Sequence, residues 1–212
     1  MSAIAERKWS TLLFNPFVYI AGGQALGIGL AAIFVAGLAG LLGGMQFDGV
    51  LDMHGGAMNF RASATPGAAL FILAEGFIDW LCLALVLVLC GKLVSRSAFR
   101  VLDVLGTQAL ARWPSVLMVA LTLPPAFGNY SRALIEQIKR NPLQLPPLTP
   151  DAIYFFTAAL LTLPLLVWMI ALMYRAYAVS CNVRGAKAVA TFILALVLAE
   201  VLSKVAIYAW HP

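Results

Sequence analysis

Charge is scarce in this chain. Of 212 residues, 14 are Lys or Arg and 9 are Asp or Glu, 11% in all, against about 25% in a soluble domain. So little charge cannot cover a monomer's surface against water, and with 62% hydrophobic residues the solvent the chain requires is lipid. Histidine is nearly missing: there are two, and one of them, His211, is the penultimate residue, which excludes a multi-histidine centre. The three cysteines, Cys82, Cys90 and Cys181, follow no zinc or disulfide spacing and read as small buried hydrophobes. No glycine-rich phosphate loop, HExxH or nucleophile elbow occurs. The glycines of residues 21–29 fall inside an apolar run rather than between a strand and a helix. No catalytic residue, cofactor or metal is therefore expected, and an enzyme is not the reading. The net charge of +5 is dispersed between apolar runs, which is a topology signal and excludes nucleic acid as a partner.

What the chain has instead is length of apolar run. A spanning helix needs about 20 apolar residues, and residues 18–44, 67–93, 104–127, 152–178 and 186–210 supply five such stretches, the third shortened and broken by Arg112-Trp113-Pro114. In hydrocarbon an isolated span must satisfy its own backbone hydrogen bonds, so each is a helix. The expected fold is all-α, a polytopic transmembrane bundle of five spanning helices plus short interfacial helices, forming a single membrane domain over 1–212. The first run is longer than the ~7–15 residues of a signal-peptide core, so it is expected to remain as a span. Residues 9–16, with Trp9 and a proline stop, and residues 95–108, with Phe99, Leu102 and Leu105 at helical spacing, are expected as surface helices. Pro142, Pro146, Pro147 and Pro150 make a stiff connector, after which Thr149 is the expected N-cap and Pro150 the first residue of the fourth span.

Orientation follows from the basic residues. With the N-terminus in the cytoplasm, Arg7, Lys8, Lys92, Arg96, Arg100, Arg112, Arg175, Arg184 and Lys187 lie inside, and Arg61, Arg132, Lys139 and Arg140 lie outside. Nine against four favours a cytoplasmic N-terminus and an outside C-terminus.

The few charges within the spans carry the candidate site. Glu75 and Asp79 share one helix face, as do Glu200 and Lys204. At 1.5 Å per residue Glu75 lies ~12 Å and Asp79 ~18 Å from the outer end of the second span, with Lys204 ~9 Å and Glu200 ~15 Å from that of the fifth. Charge at such depth needs a partner or a role. The simplest arrangement is a Glu75–Lys204 or Asp79–Lys204 bridge that locks the bundle, and Glu200–Lys204 also suits pairing within its own helix. The competing readings are a proton- or ion-linked site, since three acids face one base, and snorkelling of Lys204 to the interface.

Ala32, Ala36, Gly40 and Gly44 recur every four residues along the first span, with Gly23 and Gly27 as a second pair. Small residues at this spacing let two backbones approach, within the chain or in a homo-oligomer. Asp48, Asp52 and His54 have divalent-cation chemistry but no metal-site spacing, so the first connector is expected as a solvated loop.

Several of these features together resemble the Yip domain family, five-span membrane proteins that interact with Ypt/Rab GTPases. They are Asn15-Pro16, the succession Trp80, Gly91-Lys92, Phe99-Arg100, Leu105-Gly106 and Trp113-Pro114, the set Trp168, Tyr174 and Ala178, and the linker 182–188. The resemblance covers roughly residues 15–208. It implies a polytopic helical protein of the compact bacterial type, in the inner membrane. The long cytoplasmic N-terminal region of eukaryotic members has no counterpart before the first span, so a small GTPase is not expected as partner. The expected partners are the lipid bilayer and a second copy or another membrane protein. The expected function is a non-enzymatic role in membrane organisation, trafficking or scaffolding. The alternative is a small oligomeric proton- or ion-coupled transporter or channel using Glu75, Asp79, Glu200 and Lys204.

Overall fold

The computed structural model describes residues 9–43, 45–55 and 66–210. Arg7, Lys8, Gly44, Arg61 and His211, all used in reading the sequence, lie outside them. The described chain is all-α apart from one small hairpin: α1 (Trp9–Phe14), a 3₁₀ turn at Pro16–Val18, α2 (Gly22–Gly43), β1 (Met45–Phe47), β2 (Met53–Gly55), α3 (Pro66–Val94), α4 (Val101–Ala111), α5 (Pro114–Ala120), α6 (Pro125–Arg140), α7 (Pro150–Ser180) and α8 (Gly185–Ala209). Helices α2, α3, α7 and α8 are each long and apolar enough to cross a bilayer. The stretch Val101–Ala120 joined to α6 forms a fifth candidate, bent by 79°.

Prolines explain that bend and break. Pro114 opens α5, where its missing N–H costs nothing. Just before it, Arg112 N and Trp113 N bond the carbonyls of Ala109 and Leu110 (both 3.2 Å), tightening the turn from about 3.6 to about 3.0 residues. Pro124 is extended (ψ 136°) ahead of Pro125, as a residue preceding proline prefers. The apolar run therefore ends near Leu121 rather than at 127, and α6 is a separate helix between the third and fourth runs. Val101–Ala120 is still ~30 Å long, the thickness of a hydrocarbon core.

The expected surface helix over 95–108 is a second correction. Residues 95–100 are not helical, and α4 is inside the bundle, with Val104, Thr107 and Gln108 buried. Its polar side chains find internal partners: Thr107 Oγ1 meets Ser180 Oγ at 2.8 Å, and Gln108 Nε2 donates to Met173 O at 2.9 Å. Trp80 Nε1 donates to Leu105 O (3.0 Å), tying α3 to the same helix.

The glycines give the directions of the helices. A Cβ on Gly106 would stand 2.3 Å from Gly22 O, one on Gly29 2.3 Å from the backbone of Ala109 and Leu110, and one on Gly43 3.2 Å from the Leu123 side chain. Residue numbers rise together, so α2 and α4–α5 run parallel and in backbone contact. Helix α7 runs the other way, since Tyr154 OH bonds Leu121 O (2.9 Å) near its start and Ser180 lies at Thr107 at its end. The bundle thus has a first end, with the ends of α3 and α7 and the starts of α4 and α8, and a second end with α6.

The sharp turn into α8 is a Schellman cap: Asn182 is left-handed (φ 51°), Asn182 N bonds Val179 O (3.3 Å), Val183 N bonds Ala178 O (3.1 Å), and Val183 is buried. Thr149 caps α7 as expected, its Oγ1 accepting Ala152 N (3.2 Å) with Pro150 as the first helical residue. The short α1 forms as expected and is pinned at the first end by Trp168 Nε1 to Leu13 O (3.2 Å) and Arg175 Nη1 to Phe14 O (3.1 Å).

Candidate functional site

The described part of the connector after α2, residues 45–55, is not a solvated loop. Met45–Phe47 and Met53–Gly55 pair antiparallel, with Phe47 opposite Met53. Met45, Gln46, Phe47 and, in the intervening turn, Val50 are all buried. A hairpin whose backbone leaves water needs acceptors for its N–H groups, and the intramembrane acids supply them. Glu75 Oε2 accepts Phe47 N (3.1 Å) and Glu200 Oε2 accepts Leu51 N (3.0 Å). Gly49 lies so close to the Glu200 carboxylate that a Cβ there would stand 2.3 Å from Oε1. Lys204 Nζ pairs with Glu200 Oε1 at 3.1 Å and with Asp52 in the turn. Tyr208 OH donates to Asp48 Oδ2 (3.3 Å). These charges hold the hairpin against α3 and α8.

The expected bridge from Lys204 to Glu75 or Asp79 is accordingly not made; Lys204 is taken by Asp52 and Glu200. The hairpin turn fills the space between the two helices and brings its own carboxylate nearer. The pairing of Glu200 with Lys204 within one helix is present. Asp48 and Asp52 are occupied by α8, and no group of three or more His, Cys, Asp or Glu is placed to hold a metal among the described residues.

Asp79 stands apart from this clamp. It is fully buried, and neither carboxylate oxygen has a hydrogen-bond partner among the described residues. Ser203 lies beside it, but the Ser203 hydroxyl donates to Glu200 O (3.2 Å) in its own helix. The basic residue facing Asp79 across the interior is Arg112, also buried, with Nε and Nη2 unpartnered among the described residues. The two attract each other without forming an ion pair. A cavity of about 10 Å³ lies against Arg112 and Ser115, closed by Phe47 of the hairpin and Gly76 of α3. That is room for one water. Asp79 and Arg112 are the part of the interior with chemical capacity to spare: a carboxylate and a guanidinium buried together, with lone pairs and N–H groups uncommitted.

By sequence Arg112 is a topology charge at the inside end of the third span; the structure places it within the bundle. The signal was its position, immediately before the Trp113-Pro114 break in an apolar run.

The small-residue ladder is half present. Ala36 and Gly40 are buried, and Gly40 faces Met45 O of the hairpin; Ala32 is only partly covered. Gly23 and Gly27 are exposed, with nothing within reach of an added Cβ. The packed stripe runs instead through Ala25, Gly29, Ile33, Ala36 and Gly40, the face that α4, α3 and the hairpin cover.

No protein-family model, curated protein or solved structure matches this chain.

Proposed function

We propose that this is a non-enzymatic, Yip-like integral membrane protein that organises the bilayer or scaffolds a membrane partner, with its N-terminus in the cytoplasm and the bacterial inner membrane as its site. The observation that supports the reading is the placement of α1 and α6. Helix α6 is strongly amphipathic. Phe127 and Tyr130 pack on Phe155 of α7 at ring distances of 4.8 and 5.3 Å, while Arg132, Glu136, Lys139 and Arg140 are exposed. At the far end α1 presents Trp9, Leu13 and Phe14 to the surroundings. Along α7 the contacts of α6 with Phe155 and Phe156 and those of α1 with Trp168 and Arg175 are 12 to 20 residues apart, ~18–30 Å by the helical rise, on the order of the thickness of a hydrocarbon core. An amphipathic helix towards one end and a short helix with exposed Trp9, Leu13 and Phe14 towards the other suit the two interfaces of one bilayer, where such helices insert and respond to curvature.

The test is reconstitution into vesicles at increasing protein density. The reading expects vesicle size and shape to shift with density, and the shift to weaken when Leu134 and Ile138, on the apolar side of α6, become Asn. Vesicles that keep their size at every density would refute a bilayer-organising role.

Asp79 and Arg112 favour a second reading, a proton- or ion-linked pathway in an oligomer. Its site differs from the four-residue cluster drawn from sequence, because Glu75, Glu200 and Lys204 are engaged with the hairpin. Proton and cation flux into liposomes separates the two. Flux that is abolished by Asp79→Asn with folding intact supports transport; absence of flux in wild type removes it.

A further inference from the structure

At the first end of the bundle, α3 ends, α8 begins, and the two linkers that flank them enclose an open cavity of about 230 Å³ lined by Val94, Arg96, Asn182, Arg184 and Lys187. We propose that this cavity is a binding site for a phosphate-bearing anion at the level of the lipid headgroups.

Three observations carry it. The first is uncompensated charge. Arg96, Arg184 and Lys187 converge on one cavity, and none of them makes an ion pair or side-chain hydrogen bond among the described residues. Lys92 lines the adjoining cavity, and the chain from 152 to 199 contains no acid at all. Like charges gathered without a counter-ion repel each other, and an anion relieves that cost.

The second is backbone. Arg184 is the N-cap of α8, and no side chain caps that end. The first N–H groups of a 25-residue helix therefore open beside the cations. Gly185 is left-handed (φ 71°), a conformation that glycine adopts without strain, and it sets the entry of α8 into this position.

The third is that the wall is built. Asn182 sits in the Schellman cap described above and donates from Nδ2 to Ser97 Oγ (3.2 Å), joining the linker after α7 to the linker after α3. Ser97 N in turn bonds Ser95 Oγ (3.2 Å). The cavity is held in shape by bonds that leave its cations uncommitted.

The volume is below the ~300–1,000 Å³ of a drug-sized pocket and suits a headgroup-sized anion. Arginine forks and helix N–H groups match tetrahedral phosphate oxygens. Exposed Leu93 and Val189 beside the site lead into the apolar surface of α3 and α8, the path an acyl chain would follow.

The experiment uses the full chain. Thermal unfolding in neutral detergent is followed with inorganic phosphate and with chloride at matched ionic strength. In parallel, native mass spectrometry counts the phosphatidylglycerol retained from mixed phosphatidylcholine–phosphatidylglycerol nanodiscs. Stabilisation by phosphate identifies a site open to free phosphate; retention of phosphatidylglycerol without a phosphate effect identifies a lipid site. Both support the proposal. The triple variant Arg96→Gln/Arg184→Gln/Lys187→Gln should weaken either response by at least about tenfold. The charge-preserving pair Arg184→Lys/Lys187→Arg should retain most of it, and Lys139→Gln/Arg140→Gln on α6 should leave it unchanged. All these positions are exposed, so folding is not at stake. An equal response in wild type and triple variant, an equal loss in the α6 control, or no response to either probe overturns the proposal.

Discussion

At the scale of single residues, burial divides the charges into two kinds. Glu75 and Glu200 each accept a backbone N–H of the hairpin, and Lys204 is matched by two carboxylates; these groups recover inside the bundle what they lose by leaving water. Among the described residues Asp79 and Arg112 have no such hydrogen bond; they face each other, with Ser203 and Glu200 nearby and a small cavity against Arg112. Removing one partner then leaves the other as a lone buried charge. Arg112→Met should lower stability by roughly 3 kcal/mol, and so should Asp79→Asn to a smaller degree, because its partner stays buried. The double variant should cost clearly less than the sum, measured as a double-mutant cycle of unfolding in detergent. Strict additivity would show that the two side chains do not act on each other. Three of the four charges in the spans meet at the hairpin; helical rise puts them at one depth, but not against the hairpin, since the sequence reads that connector as a solvated loop. The partner of Asp79 is not legible: the position of Arg112 before the Trp113-Pro114 break marks it as unusual, but nothing in the sequence says which acid it faces. Only the packing of α4 against α2 carries it inward.

At the scale of elements, two features separate what periodicity reveals from what packing decides. The spacing of small residues along α2 shows that some face is close-packed, and it does not show which. Gly29 and Gly106 are each pressed against a neighbouring backbone, which cannot move aside as a side-chain end can. Gly29→Ala and Gly106→Ala should each destabilise by about 1–3 kcal/mol through overpacking. Gly23→Ala and Gly27→Ala, on the open face, should be neutral or stabilise by up to about 1 kcal/mol through helix propensity. Thermal unfolding of the four variants in one detergent checks both signs, and loss at Gly27 comparable to that at Gly29 would relocate the packed stripe. The hairpin is the other case. Its strands are three residues long and carry no alternation that marks them in sequence; they are held because Glu75 on α3 bonds the backbone of β1 and Glu200 on α8 that of the turn. Glu200→Gln replaces a charged acceptor by a neutral one, so the Leu51 amide should exchange with deuterium about tenfold faster. The change should be local, with amides in the middle of α7 unaffected.

At the scale of the whole molecule, the open question of topology is whether the chain crosses four times or five. The third run is where length and composition are ambiguous, since proline and a buried arginine interrupt it, and where the internal contacts decide. Helix α6 sits at the start of α7, through Asn129 with Asp151 (3.2 Å), whereas Thr107 of α4 sits at its end with Ser180. Asp151 and Ser180 lie 29 residues apart on α7, ~44 Å by the helical rise, so α4–α5, about 30 Å long, and the turn after it carry the chain from one of those contacts to the other. A re-entrant segment would return to the side it came from and leave α6 beside the linker 95–100. Five crossings would place residues 97 and 145 on opposite sides of the membrane, and under the proposed orientation the first end, with its excess of basic residues, faces the cytoplasm. In a background with Cys82, Cys90 and Cys181 changed to Ala, a membrane-impermeant maleimide applied to spheroplasts should label Leu145→Cys at once. Ser10→Cys and Ser97→Cys should label only after the membrane is opened. Labelling of Ser97→Cys and Leu145→Cys from the same side would remove the fifth crossing, and a reversed pattern would keep five crossings and invert the orientation.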